Sequence, residues 1–131
     1  MSTAGQQPKA PEVSVDELAE AMTQDAVVVD VRERDEYAKA HVPGVRLIPM
    51  SELQERWAEI PTDQRVYVIC QVGGRSLNAA TALRQAGVDA VSVAGGTRRW
   101  EDAGEAPLLH SDSDKYLEPR WMLSDGFLAV K

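Results

Sequence analysis

Apolar residues along this chain follow two patterns, one recurring at helical spacing and one nearly continuous. Val15, Leu18, Ala19 and Met22 fall at i, i+3, i+4 and i+7 behind a capping-box pair, Ser14 and Glu17, so the spacing predicts a helix over residues 15–23. Val27, Val28, Val29 and Val31, broken only by Asp30, form a β-branched run of the kind a parallel sheet buries on both faces. Asp30 then stands at the carboxyl end of that strand, where α/β proteins place their chemistry. Residues 33–39 predict a short helix, His41-Val42-Pro43-Gly44 a turn, and residues 45–48 a second strand. Ser51 and Gln54 read as another capping pair, ahead of a helix whose face carries Leu53, Trp57 and Ile60 and which Pro61 ends. A third strand over residues 65–69 runs into Cys70; Ala79, Ala82, Leu83 and Ala86 then mark a helical face closed by Gly87. Residues 90–93 are the last clear strand, followed by Gly95-Gly96 and a short helix through Trp100, a core residue. Strands alternating with helices in this way predict an α/β domain with a parallel sheet.

The 131 residues suffice for one such domain, placed at residues 12–107. Residues 1–11, rich in Gln, Pro and Ala, read as a flexible arm. Residues 108–131 read as a tail: a polar cluster, Ser111-Asp112-Ser113-Asp114, precedes Trp121, Met122, Leu123, Phe127, Leu128 and Val130, which are expected to dock on the body or meet another chain. The net charge of −7 is the wrong sign for nucleic-acid binding. No apolar run approaches a membrane span and the N-terminus lacks a secretory h-region, so the expected compartment is the cytoplasm. The single cysteine excludes an internal disulfide, and two distant histidines give no zinc-ligand spacing, so neither a metal nor a cofactor is expected.

The single cysteine nevertheless sits in a chemical setting. Cys70 ends a buried strand, and Gln71-Val72-Gly73-Gly74-Arg75-Ser76 follows it into a helix. Gly73 and Gly74 let successive amides converge on one point, where their partial charge adds to the helix dipole and favours a thiolate nucleophile. Arg75 adds a cation, and Ser76 can donate to an anion or cap the helix. A lone cysteine ending a strand is ordinarily a small core residue, but Gly-Gly-Arg-Ser behind it serves no packing purpose.

Four stretches together give the chain a resemblance to the single-domain rhodaneses of the sulfurtransferase family, over about residues 12–107. Asp30-Val31-Arg32-Glu33 with Glu36-Tyr37 resembles the family's first signature, and His41-Val42-Pro43-Gly44 its second. Residues 70–76 resemble its active loop, and Gly95-Gly96 with Trp100 its closing motif. Ala40 departs from the glycine common before the histidine. The resemblance implies a three-layer sandwich on a five-stranded parallel sheet, with Cys70 carrying sulfane sulfur as a persulfide. The amides of Gln71, Val72, Gly73, Gly74, Arg75 and Ser76 would hold that sulfur, Arg75 would attract an anionic donor, and Asp30 and Arg32 would be a supporting pair. Asp30 and Arg32 read equally as a strand-end ion pair, and His41 as a turn histidine bonding a carbonyl. Arg98 and Arg99 read as solvated. The implied donor is thiosulfate or another small sulfur anion, or a persulfide; the acceptor is cyanide or a thiol, including a protein thiol.

Two rival functions remain. A cysteine phosphatase or arsenate reductase uses the same thiolate and arginine, but with Cys-x5-Arg rather than the Cys-x4-Arg of Cys70 and Arg75, and the shorter loop suits one sulfur better than a phosphoryl group. A non-catalytic rhodanese-like binding or regulatory module would commonly lack the cysteine that this chain retains.

Overall fold

The structure, a computed structural model, describes residues 8–110. Five parallel strands form one sheet in the order β1-β5-β4-β2-β3: β1 (Glu12–Val13), β2 (Val27–Asp30), β3 (Arg46–Leu47), β4 (Val66–Ile69) and β5 (Ala90–Val93). The helices are α1 (Val15–Met22), α2 (Arg34–Lys39), α3 (Leu53–Arg56), α4 (Gly74–Gln85) and α5 (Gly96–Asp102).

Side chains alternate across the central strands and divide the core in two. Val27, Val29 and Val31 of β2 and its end, with Val66 and Val68 of β4, pack against Leu53, Ala79, Ala80 and Leu83 from α3 and α4. Val28, Ile69, Val91 and Val93 face the other way, onto Leu18 of α1 and Trp100 of α5, with Tyr37 of α2 at the margin. The result is the expected three-layer α/β sandwich, with β2 and β5 buried on both faces. The fifth strand, β1, is only two residues long and follows no apolar pattern of its own. It is defined by β5, through Ser92 N donating to Pro11 O (2.9 Å) and Ala94 N to Val13 O (2.8 Å).

Ser14 caps α1 as expected: its Oγ accepts from Glu17 N and its own N–H donates to Glu17 Oε1, both at 3.0 Å. The pairing of Ser51 with Gln54 does not form. Ser51 lies inside a 3₁₀ turn (Met50–Glu52) and donates to Glu33 Oε1 (3.1 Å), because Met50 N is already held by Val31 O at the end of β2. The expected helix is therefore one α turn between two 3₁₀ turns; Leu53 and Ile60 are buried while Trp57 is exposed. On α4 the buried face is Ser76, Ala79, Ala80 and Leu83, whereas Ala82 and Ala86 are exposed. Small alanines are compatible with either environment, so the leucine and the contact with β5 set the face.

At the margins, Ala10 is buried and donates its N–H to Thr81 Oγ1 (2.9 Å). Leu109 exchanges two 2.8 Å backbone hydrogen bonds with His41. The remaining residues expected to form the arm and the apolar tail, 1–7 and 111–131, lie outside the described residues. No helix among the described residues is long and apolar enough to cross a membrane.

Candidate active site

Cys70 directly follows β4, and its side chain lies on the face of the sheet covered by α4, only 1% exposed. Gly73, the N-cap of α4, has φ of +114°, a conformation that L side chains rarely adopt, and it turns the chain so that two amides reach the sulfur. Gly73 N donates to Sγ at 3.1 Å and Ser76 N, in the first turn of α4, at 3.2 Å. Ser76 Oγ lies 3.4 Å from Sγ. That hydroxyl donates to Gly73 O (3.1 Å), so its 2.8 Å contact with Ser92 Oγ is one in which Ser92 donates, and the Cys70 thiol can donate to it as well. The amides of Gln71, Val72, Gly74 and Arg75 have no hydrogen-bond partner among the described residues. They remain donors for a ligand; Gly74 and Arg75 lie in the first turn of the 12-residue α4, at its positive end, and Gln71 and Val72 precede it.

A second helix fixes the strand end from below. Cys70 O accepts from Thr97 N (2.8 Å) and Thr97 Oγ1 (3.0 Å), and Gln71 O accepts from Arg98 N (3.1 Å). This approach requires Gly96, where an ideal Cβ would stand 2.4 Å from Cys70 O and 2.7 Å from Gln71 O. Two helix N-termini thus meet at Cys70, that of α4 at its sulfur and that of α5 at its carbonyl.

Asp30 and Arg32 form a buried pair at the end of β2, 0% and 3% exposed. Arg32 Nε and Nη2 contact the carboxylate at 3.0–3.2 Å, and Arg32 N adds a 3.0 Å bond to Oδ1. The rest of the guanidinium links the site together, with Nη1 donating to Gln71 Oε1 (3.1 Å) and Nη2 to Ala40 O (2.8 Å). Val72 stands exposed at the loop's outer edge.

Arg75 reaches across to α2. Its Nη1 and Nη2 donate to Glu36 Oε1 and Oε2 at 2.7 and 2.9 Å, a fork-to-fork ion pair. Glu36 Oε1 also accepts Glu33 N at 3.0 Å. The Arg75 hydrogen bond is the main reason the Glu36 carboxyl is held down at about 2, with burial opposing it. His41 is buried, donates Nδ1–H to Tyr37 O (2.7 Å), and stacks on the Tyr37 ring at 3.6 Å between centroids. Trp100 is buried and donates to Ala106 O (2.7 Å), while Arg98 and Arg99 are exposed. Beside the loop opens a pocket of about 350 Å³, lined by Arg32, Glu36, Lys39, Gln71, Thr97 and Glu101 among others.

Three participants had not been singled out as site residues. Glu36 lay inside a quoted signature, Thr97 directly follows Gly95-Gly96, and Ser92 is the one polar residue in β5. A lone hydroxyl in an otherwise apolar strand is the signal that could have found it.

The rhodanese-like domain family matches residues 14–103, most of the chain and the whole of this site. The chain belongs to that family. A rhodanese-related protein from Thermoplasma volcanium superposes with a TM-score of 0.70 at 33% identity, covering 76% of this chain and 97% of that one. YrkF of Bacillus subtilis, named as a candidate sulfur carrier protein, is 38% identical over 93 residues, 69% of this chain and 50% of its own length. A protein of Allochromatium vinosum named sulfurtransferase is 35% identical over 85 residues, 64% of this chain and 79% of its own. The chain thus spans half the length of the first of these two relatives and about four-fifths of the second. The rhodanese-like fold accounts for the order of the candidate site: the loop behind Cys70 joins β4 to α4, the Asp30–Arg32 pair ends the neighbouring strand, and α5 closes the floor.

Proposed function

We propose that this chain is a sulfurtransferase that carries sulfane sulfur on Cys70. The Cys70 thiolate attacks the outer sulfur of thiosulfate or of a persulfide, the donor's S–S bond breaks, and sulfite or a thiolate leaves with the bonding pair. The outer sulfur of the resulting persulfide carries the negative charge, and the partnerless amides of Gln71, Val72, Gly74 and Arg75 are the groups to stabilise it. An acceptor, cyanide or a thiol, then takes that sulfur and releases the Cys70 thiolate. Asp30 and Arg32 act here through Gln71, whose side chain Arg32 holds at the loop.

The observation that carries this reading is the convergence of the Gly73 and Ser76 amides on Sγ at the N-terminus of α4. Relatives named for sulfur carriage and sulfur transfer support it. Intact mass spectrometry tests it. Incubation with thiosulfate or a persulfide donor should add one sulfur atom, cyanide should remove it, and Cys70→Ser should show neither change. A mass gain that persists in Cys70→Ser would overturn the assignment.

A further inference from the structure

Arg32, which holds Gln71, and Arg75, within the loop itself, are both paired with carboxylates. Arg32 is spent on Asp30, Gln71 and Ala40. Arg75, the loop's own cation, is engaged at both terminal nitrogens by Glu36. Lys39 and Glu101, one charge of each sign, both line the pocket beside the loop. The charged side chains that line this pocket, Arg32 and Lys39 against Glu36 and Glu101, sum to no net positive charge, in a chain whose net charge is −7. The field that favours anionic sulfur comes from uncharged amides, which can hold one charge on one atom but lack a countercharge for a second.

We propose that Glu36 is a specificity-determining residue: by neutralising Arg75 it sets the site to accept sulfur from donors bearing a single charge at the reacting end, such as a persulfide, and to discriminate against the dianion of thiosulfate. This rests on the sulfurtransferase reading above. Glu36 does not touch the transferred sulfur; it acts through the charge of Arg75. Glu36 also lines the pocket beside the loop, so the Arg75 that a second negative charge on the donor would need is already engaged there.

Two donors isolate the effect. Thiosulfate and methanethiosulfonate deliver the same sulfane sulfur by the same S–S cleavage, releasing sulfite and methanesulfinate, but carry two charges and one. The second-order rate constants for loading Cys70 are measured by quenched-flow mass spectrometry, and the ratio of methanethiosulfonate to thiosulfate is the readout. In Glu36→Gln the amide oxygen can still accept from Arg75, so the loop keeps a brace while the charge is gone. That ratio should fall by about tenfold, through faster loading by thiosulfate, since removing one charge at close range in a half-buried site changes the two donors unequally. Glu36→Asp, which keeps the charge, should keep the wild-type ratio even if it slows both donors. Asp63→Asn removes an exposed charge ahead of β4, at the opposite end of that strand from the loop, and should leave the ratio in place.

A Glu36→Gln ratio equal to wild type, with both donors slowed alike, would reduce Glu36 to a loop brace and overturn the proposal. A shift of the same size in Asp63→Asn would overturn it too, by assigning discrimination to net charge. Failure of both donors to load Cys70 is a different result: it removes the sulfurtransferase reading and this proposal with it.

Discussion

Arg32 makes contacts to three separate segments from a position 3% exposed, and its partner Asp30 is fully buried. Removing one member of such a pair costs far more than the pair contributes, because the other charge stays out of water. Arg32→Met should therefore lower stability by about 3–5 kcal/mol, read by urea denaturation. Adding Asp30→Asn should recover part of that loss by removing the stranded charge. A cost under about 1 kcal/mol for Arg32→Met would mean that Asp30 rehydrates, contrary to its burial. The same residue ties Gln71 to the end of β2, so the variant should also slow sulfur loading.

At the scale of elements, α2 is six residues long and contributes no fully buried side chain, too little to persist by helical propensity alone. It is secured by Glu36, whose Oε1 accepts both Glu33 N at its own N-terminus and Arg75 Nη1 from the Cys70 loop. Because the Glu36 carboxyl is lowered from 4.5 to about 2, the pair's contribution is fully present above pH 4.5 and fades as pH falls through about 2. Titration of the Glu36 carboxyl carbon by NMR should give a midpoint near 2, and Arg75→Ala should return it toward 4.5. A midpoint at 4 or above in the unaltered chain would show that the α2–loop bridge does not persist in solution.

For the whole molecule, the count of thiols decides the kinetics. Cys70 is the single cysteine of this chain, so a persulfide there meets no second thiol of the chain to resolve it. The loaded form should persist after removal of donor until an external thiol or cyanide arrives. Initial rates with donor and acceptor varied together should give the parallel double-reciprocal lines of a ping-pong reaction. Intersecting lines, which require both substrates bound at once, would contradict it.

Much of this was legible in one dimension because the signals are local. The Ser14–Glu17 box, the valine run of β2, the limits of β5 and the Gly-bearing loop behind Cys70 each depend on residues a few positions apart. What tertiary structure decided involves partners distant in sequence. β1 exists because β5 offers an edge to Glu12 and Val13. Ser51 caps nothing because the end of β2 takes the backbone of Met50, and α4 turns Ala80 rather than Ala82 inward because β5 lies beneath it. The place of Cys70, proposed as the nucleophile, and of the amides around it was readable in one dimension, since both follow from a strand, two glycines and a helix in succession. Only the fold decided the charge of the site, because the side chain opposite Arg75 is 39 residues away and a guanidinium's role depends on the carboxylate that packing sets beside it.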